Sequence, residues 1–119
     1  MTNLDDNSIR IYLAAPVVSD KVKAALGEVV KRKHEIQQIQ VKKQQVEARV
    51  REIEQDQARI RQNMAQLDRA SDVYKNYVKK FSDQEGEIEK LRGQSNALAL
   101  QEAELRKGLD DYLLGLDLQ

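Results

Sequence analysis

Two rows of mostly apolar residues, spaced alternately by three and four positions, constrain this chain more than any other feature. The first row runs from Val22 to Leu67 and the second from Tyr74 to Leu116. This spacing averages 3.5 residues, the period of a helix whose apolar stripe stays against a partner helix. We call the two rows together the seam. Its positions are 22, 25, 29, 32, 36, 39, 43, 46, 50, 53, 57, 60, 64 and 67 in the first row and 74, 77, 81, 84, 88, 91, 95, 98, 102, 105, 109, 112 and 116 in the second.

The two rows are mirror images of each other along the sequence. The residue numbers of matching positions sum to 141 throughout. Matching pairs include Leu67 with Tyr74, Ile60 with Phe81, Ile53 with Ile88 and Ile36 with Leu105. Because both rows keep one register, we predict that the chain folds back on itself near residues 70 and 71.

The predicted fold is all-α: a long two-helix antiparallel coiled-coil hairpin over residues 19–119, preceded by a short extended segment over residues 1–18. We expect the first helix at about 19–68, the turn at about 69–71 and the second helix at about 72–116. Ser19 or Asp20 can cap the first helix, and Ser71 can cap the second, because their side-chain oxygens accept bonds from free backbone amides.

The extended segment contains the alternating run Ile9 to Ala14, the period-two pattern of a half-buried strand, which Pro16 then ends. A single strand is not stable in water and needs a partner strand. We therefore expect either that the chain belongs to a larger protein whose sheet takes this strand, or that the segment is an extended lead-in packed on the helices.

One matching pair in the seam is polar, Gln57 with Gln84. A polar layer in an apolar helix interface fixes register and orientation at some cost in stability. We predict that these two glutamines are a register layer.

The residue inventory offers little for catalysis or metal binding. There is no cysteine and one histidine, His34, which falls between seam positions on the predicted solvated face. The spacing of the acidic run Asp83, Glu85, Glu87 and Glu89 does not place a glycine and a terminal bidentate acid where a calcium loop has them. We expect no cofactor, no metal, no enzymatic activity and no pocket for a small-molecule substrate between two helices in register.

Charge separates the two predicted helices. Residues 19–70 carry twelve basic and eight acidic residues, a net +4, and residues 72–119 carry seven and ten, a net −3. Opposite signs favour pairing of the helices. The basic stretch from Lys31 to Lys43 is interrupted by glutamate and faces an acidic helix, which argues against nucleic-acid binding and leaves only weak polyanion binding as an alternative.

Nothing in the sequence indicates membrane insertion. No apolar run approaches the ~20 residues that cross a bilayer, and the first six residues lack the pattern of a signal peptide. We expect a soluble chain whose compartment the sequence does not indicate.

The ends of the two helices that lie far from the turn are more apolar than a seam requires. The additional apolar residues are Leu26, Val30, Leu113, Leu114 and Leu118. We interpret them as a docking surface for a parent domain or for a second copy of the chain, the alternative being that the lead-in covers them.

Four blocks of sequence also resemble a known family. They are residues 9–26 (IRIYLAAPVVSDKVKAAL), 56–64 (DQARIRQNM), 71–81 (SDVYKNYVKKF) and 110–116 (DDYLLGL). Together they resemble the C-terminal coiled-coil region of bacterial proteins of unknown function related to mucoidy inhibitor A. The resemblance implies that residues 9–13 end a β domain from which the hairpin projects, and it supplies no catalytic residue.

These observations predict a non-enzymatic coiled-coil spacer or protein-interaction module of a larger bacterial protein. The alternative is a scaffold in which two hairpins dimerise into a four-helix arrangement.

Overall fold

The structure, a computed structural model, describes residues 19–116, and these residues form two long helices. Helix α1 spans Asp20–Met64 and helix α2 spans Asp72–Leu114. The predicted all-α hairpin is therefore confirmed. The possible strand at residues 9–13 lies outside the described residues, as do residues 117–119.

Each helix begins where the sequence places a capping side chain. The Ser19 hydroxyl accepts a hydrogen bond from the Val22 amide at 3.2 Å, and Asp20 adds an acidic side chain in the first turn. Ser71 caps α2 in the same way, accepting a bond from the Tyr74 amide at 3.1 Å. These bonds satisfy amides that have no partner inside the helix.

Burial follows the seam along both helices. All 27 seam positions are buried or half-buried, and none is exposed. The most deeply buried are Ile60 and Val29, with exposed fractions of 0% and 1%. The heptad pattern therefore identified the apolar stripe of each helix correctly.

Hydrogen bonds between the helices confirm the predicted register. The Gln40 Nε2 group donates to Glu102 Oε2 at 3.2 Å, and their residue numbers sum to 142. The Asn63 Nδ2 group donates to the Tyr77 hydroxyl at 3.1 Å, and theirs sum to 140. Both values lie within one residue of 141.

The connection between the helices is longer than the predicted turn at 69–71, because α1 ends at Met64 and not near residue 68. The Gln66 and Leu67 amides bond to carbonyls three residues back, at Asn63 and Met64, which tightens and ends the helix. The Asp68 carboxylate then accepts a bond from the Ala70 amide at 2.9 Å. This local side-chain bond gives the backbone an alternative to continuing the helix.

The chain divides into two compact units. The terminal unit contains the described residues 19–41 and 100–116, and the turn unit contains Lys42–Ala99. In each unit, a stretch of α1 packs against a stretch of α2.

The burial of Ile60 gives a direct test of the seam. We expect Ile60→Ala to lower the free energy of unfolding by about 2–4 kcal/mol, because it leaves a cavity in packed surroundings. Val41 is exposed, so Val41→Ala should leave the stability unchanged or raise it by about 0.5 kcal/mol, alanine being the better helix former. Urea unfolding followed by circular dichroism measures both, and equal effects would contradict the seam.

Candidate interaction surface and polar layer

An apolar cluster holds the terminal unit together. Leu26, Val29 and Leu113 are buried in it, and Val22, Leu109, Tyr112 and Leu116 pack around them. Leu26 and Leu113 each follow a seam position after which the spacing is four residues, so both flank the seam where the two helices meet. The prediction that they lie on an exposed docking surface is wrong, because they form part of the core.

The other predicted surface residues lie differently. Val30 and Leu114 are exposed, and Leu114 has an exposed fraction of 73%. Leu118 lies outside the described residues. A role of Val30 and Leu114 in docking therefore stays a prediction.

Two further apolar residues of the terminal unit are exposed, and sequence reasoning missed them. These are Val41 and Leu100, the latter with an exposed fraction of 69%. The available signal was periodicity outside the seam. Leu100 and Leu114 are two heptads apart, and Val30 and Val41 are three helical turns apart, so each pair shares one face of its helix. We call Val30, Val41, Leu100 and Leu114 the outer apolar residues.

Arg32 occupies a seam position in the terminal unit without facing an acid across the seam. Its Nε lies 3.1 Å from Glu28 Oε1 on the same helix, and its guanidinium lies 5.0 Å from the centre of the Tyr112 ring. A Cβ atom at Gly108 would lie 3.3 Å from Arg32 Nη1. The glycine therefore leaves room for the guanidinium to stack on the aromatic ring, a favourable cation–π geometry.

The predicted register layer is present in the turn unit, since Gln57 and Gln84 are buried with exposed fractions of 3% and 8%. Each amide bonds to an acid on the opposite helix. Gln57 Nε2 donates to Glu85 Oε1 at 2.9 Å, and Gln84 Nε2 donates to Asp56 Oδ2 at 2.6 Å. We call these four residues the polar layer.

The acids of the polar layer were missed at the sequence level although each adjoins a glutamine, in the pairs Asp56-Gln57 and Gln84-Glu85. The two bonds are reciprocal, since each glutamine binds the acid next to the other glutamine. The Gln84 Oε1 atom is buried with no hydrogen-bond partner among the described residues. A buried acceptor without a partner costs free energy, so the layer is not optimised for stability.

Asp56 is the electrostatic centre of the polar layer. Its Oδ1 lies 2.8 Å from Arg59 Nη2, and its Oδ2 lies 3.4 Å from Lys80 Nζ on α2. Hydrogen bonds from Arg59 and then from Gln84 lower the pKa of Asp56 below its ordinary value, because they stabilise the charged carboxylate.

An ion pair of the turn unit joins a basic residue of α1 to an acidic residue of α2, as the net charges of the two helices predict. Arg49 Nε on α1 lies 3.2 Å from Glu87 Oε1 on α2, and the same guanidinium reaches Glu52 at 3.1 Å. Bonds to Glu52 and then to Glu87 raise the pKa of Arg49. Lys80 and Asp56 pair with the opposite arrangement of signs. Exposed pairs of this kind each contribute under ~1 kcal/mol.

The turn unit also carries a shallow apolar groove of about 510 Å³ that is open to solvent. Val46, Leu91 and Leu98 of the seam line it together with Ala97, and Lys42 and Arg49 lie beside them. The small side chain of Ala97 leaves these seam residues uncovered on this side. The prediction of no pocket between two helices in register did not anticipate this open groove.

The residues considered for metal chemistry do not form a metal site in the described part of the chain. His34 is exposed on α1. Within residues 19–116, no group of three or more histidine, cysteine, aspartate or glutamate side chains is arranged to hold a metal ion. Neither described helix has a stretch apolar and long enough to cross a membrane.

Comparison with known proteins adds no relative: no family model matches the chain, and no curated protein or solved structure matches it at a significant level.

The polar layer makes a prediction about stability. We expect Gln57→Leu with Gln84→Leu to raise the free energy of unfolding by about 1–2 kcal/mol, because it removes a buried unpaired oxygen and adds apolar burial. Gln84→Leu alone should give a smaller gain, since it removes the unpaired oxygen but adds less apolar burial. A double variant that unfolds at lower urea concentration than the wild type would show that the polar layer is a net stabiliser.

The lowered pKa of Asp56 predicts a loss of stability in acid. The stabilisation from Asp56 is complete above its ordinary pKa of 3.8. It disappears as the pH falls through the lower pKa of the folded state, because the protonated carboxyl no longer accepts these bonds. Melting temperatures measured from pH 7 to pH 2 should therefore show a smaller acid-induced fall for Asp56→Asn than for the wild type. Asp83→Asn, at an exposed acid of the turn unit, is the control and should retain the wild-type fall.

Proposed function

We propose that this chain is a non-enzymatic helical module, a spacer or protein-interaction arm of a larger bacterial protein. The observation that carries the proposal is the division of its apolar residues. The seam is filled by the two helices of the chain itself, whereas Leu100 and Leu114 remain largely exposed on α2. Exposed large apolar side chains that share one helix face favour contact with another protein.

The spacer role rests on the length and regularity of the helices. They contain 45 and 43 residues, and a helix rises about 1.5 Å per residue. A partner helix along the whole seam stabilises both helices beyond what isolated helices achieve in water. Helices of this length that pack in pairs support a spacer role.

The interaction role is best supported in the terminal unit, where all four outer apolar residues lie. This unit also contains Ser19, the residue that follows the lead-in segment. The resemblance to bacterial proteins related to mucoidy inhibitor A, in which a hairpin adjoins a β domain, supports a parent domain as the partner.

A second candidate function is self-assembly through the same residues. Leu100 and Leu114 lie on one face of α2, and a face of this kind can pair with its counterpart in a second copy. The two functions differ in the identity of the contacting protein.

A photo-crosslinking amino acid at position 114 tests the interaction role. We expect the protein carrying it, produced in bacterial cells together with its natural flanking sequence, to form a crosslinked product after illumination. The same amino acid at position 73 is the control, because Val73 is also exposed but lies in the turn unit. An adduct of twice the chain mass favours self-assembly, and an adduct of any other mass favours a different protein as the partner. A crosslink within one chain, identified by mass spectrometry of its peptides, favours a parent domain. The absence of any crosslinked product specific to position 114 would contradict the interaction role.

A further inference from the structure

The connection between the helices, residues 65–71 with the sequence AQLDRAS, contains no glycine or proline. Many helices end at a glycine with positive φ, a conformation that stops the helix. Among the described residues none has positive φ. Alanine, glutamine, leucine and arginine are all good helix formers, so most of this connection has no intrinsic preference for a turn.

The side chains of Asp68 and Ser71 add hydrogen bonds to the backbone bonds of the connection. The Asp68 carboxylate accepts a bond from the Ala70 amide at 2.9 Å, and the Asp68 carbonyl accepts bonds from the Ser71 amide at 3.0 Å and the Ser71 hydroxyl at 2.7 Å. Ser71 Oγ also accepts the Tyr74 amide and so caps α2. The turn therefore depends on Asp68 and Ser71.

The seam pattern nearly continues through the connection. The first row of the seam ends at position 67 and the second begins at position 74, and Ala70 stands between them at spacings of three and four. Positions 64, 67, 70, 74 and 77 are therefore separated by three, three, four and three residues. A regular heptad pattern would need one residue more over the same five positions. Coiled coils accommodate such a shift by a local change in winding. A helix continuous from α1 to α2 would thus carry one nearly unbroken apolar stripe.

The register allows such a helix to pair with a second copy. Partners in the hairpin have numbers that sum to about 141, as Gln40 and Glu102 show. Two copies placed antiparallel about a two-fold axis between residues 70 and 71 obey the same rule. Every contact between α1 and α2 within one chain can then form between α1 of one chain and α2 of the other, and Leu67 lies opposite the Tyr74 of a second copy.

We propose that residues 65–71 are a hinge through which two copies of this chain exchange helices, α1 of each pairing with α2 of the other in the register of the hairpin. This dimer uses the seam and not the outer apolar residues. It is therefore independent of the proposed function.

The balance between the hairpin and the exchanged dimer depends on the length of the hinge and on the stability of its turn. In the hairpin, a seven-residue connection holds the two helices at an effective concentration on the order of millimolar. The exchanged dimer retains the cross-helix contacts and replaces two turns with helix. Exchange of an identical element is a low-cost route to dimers when the hinge conformation changes. Weakening the turn therefore favours the dimer.

The variant Asp68→Ala with Ser71→Ala tests the hinge. It removes both turn-forming side chains and introduces the best helix former. We expect the dimer dissociation constant to fall at least about ten-fold, because each dimer forms at the expense of two turns that have lost a cap. The measurement is the mass by light scattering after refolding from denaturant at micromolar to millimolar chain concentration, with circular dichroism to establish that the variant folds.

Adding Arg69→Gly to this variant supplies the matched control. Glycine disfavours a continuous helix by up to about 1 kcal/mol per chain relative to alanine, whereas it fits readily in a turn. The triple variant should therefore form less dimer than the double variant at the same chain concentration.

A crosslink distinguishes exchanged helices from hairpins that merely dock. Since the chain has no cysteine, Gln40→Cys and Glu102→Cys can be joined by a short bismaleimide after refolding. In the closed hairpin the crosslink joins two residues of one chain, and denaturing gels show the monomer mass. In the exchanged dimer it joins two chains and doubles the mass.

The outcomes separate clearly. Doubled mass in the crosslinked Asp68→Ala, Ser71→Ala protein, reduced by Arg69→Gly, supports the exchange. A folded variant that stays monomeric at millimolar concentration overturns it, and so does a dimer whose crosslinks remain within single chains. Should the variant fail to fold, the wild-type chain refolded at millimolar concentration and crosslinked in the same way decides the question.

Discussion

The fold depends on the burial of one apolar helix stripe against another stripe of the same chain. Isolated helices of this composition would be marginal in water, and packing along the seam stabilises them. Ile60 and Val29 of α1 show the result, since both side chains are almost completely inaccessible to solvent. Since the two rows share a mirror register, each apolar residue finds a partner only when the chain reverses direction, and this requirement places the reversal near residue 70.

The same requirement explains why the interior contains polar groups. An uninterrupted apolar seam would tolerate displacement of one helix by a heptad, because every layer would resemble the next. The polar layer makes the layers distinguishable, as Gln57 and Gln84 find acids only in the observed register. The Gln84 Oε1 atom has no hydrogen-bond partner among the described residues. The polar layer therefore lowers the stability of the fold somewhat while it favours a single alignment of the two helices.

Much of this architecture could be predicted from residue spacing, because a heptad pattern specifies both the helix period and the face that is buried. Capping at Ser19 and Ser71 was equally predictable from residue type. The exposure of the apolar residues outside the seam could not be predicted from the sequence. Leu26 and Leu114 are both leucines of the terminal unit, yet Leu26 is buried and Leu114 is exposed. Their different positions relative to the contact between the helices account for this.

The sequence by itself determined the helices, their antiparallel register and the location of the glutamine layer, because these follow from periodicity and mirror symmetry along the chain. Only the tertiary structure decided which acids complete the polar layer, where α1 ends, and which apolar residues remain available to a partner. Those outcomes depend on distances between side chains of different helices and on local bonds such as that from Ala70 to Asp68. Spacing along one chain does not contain that information.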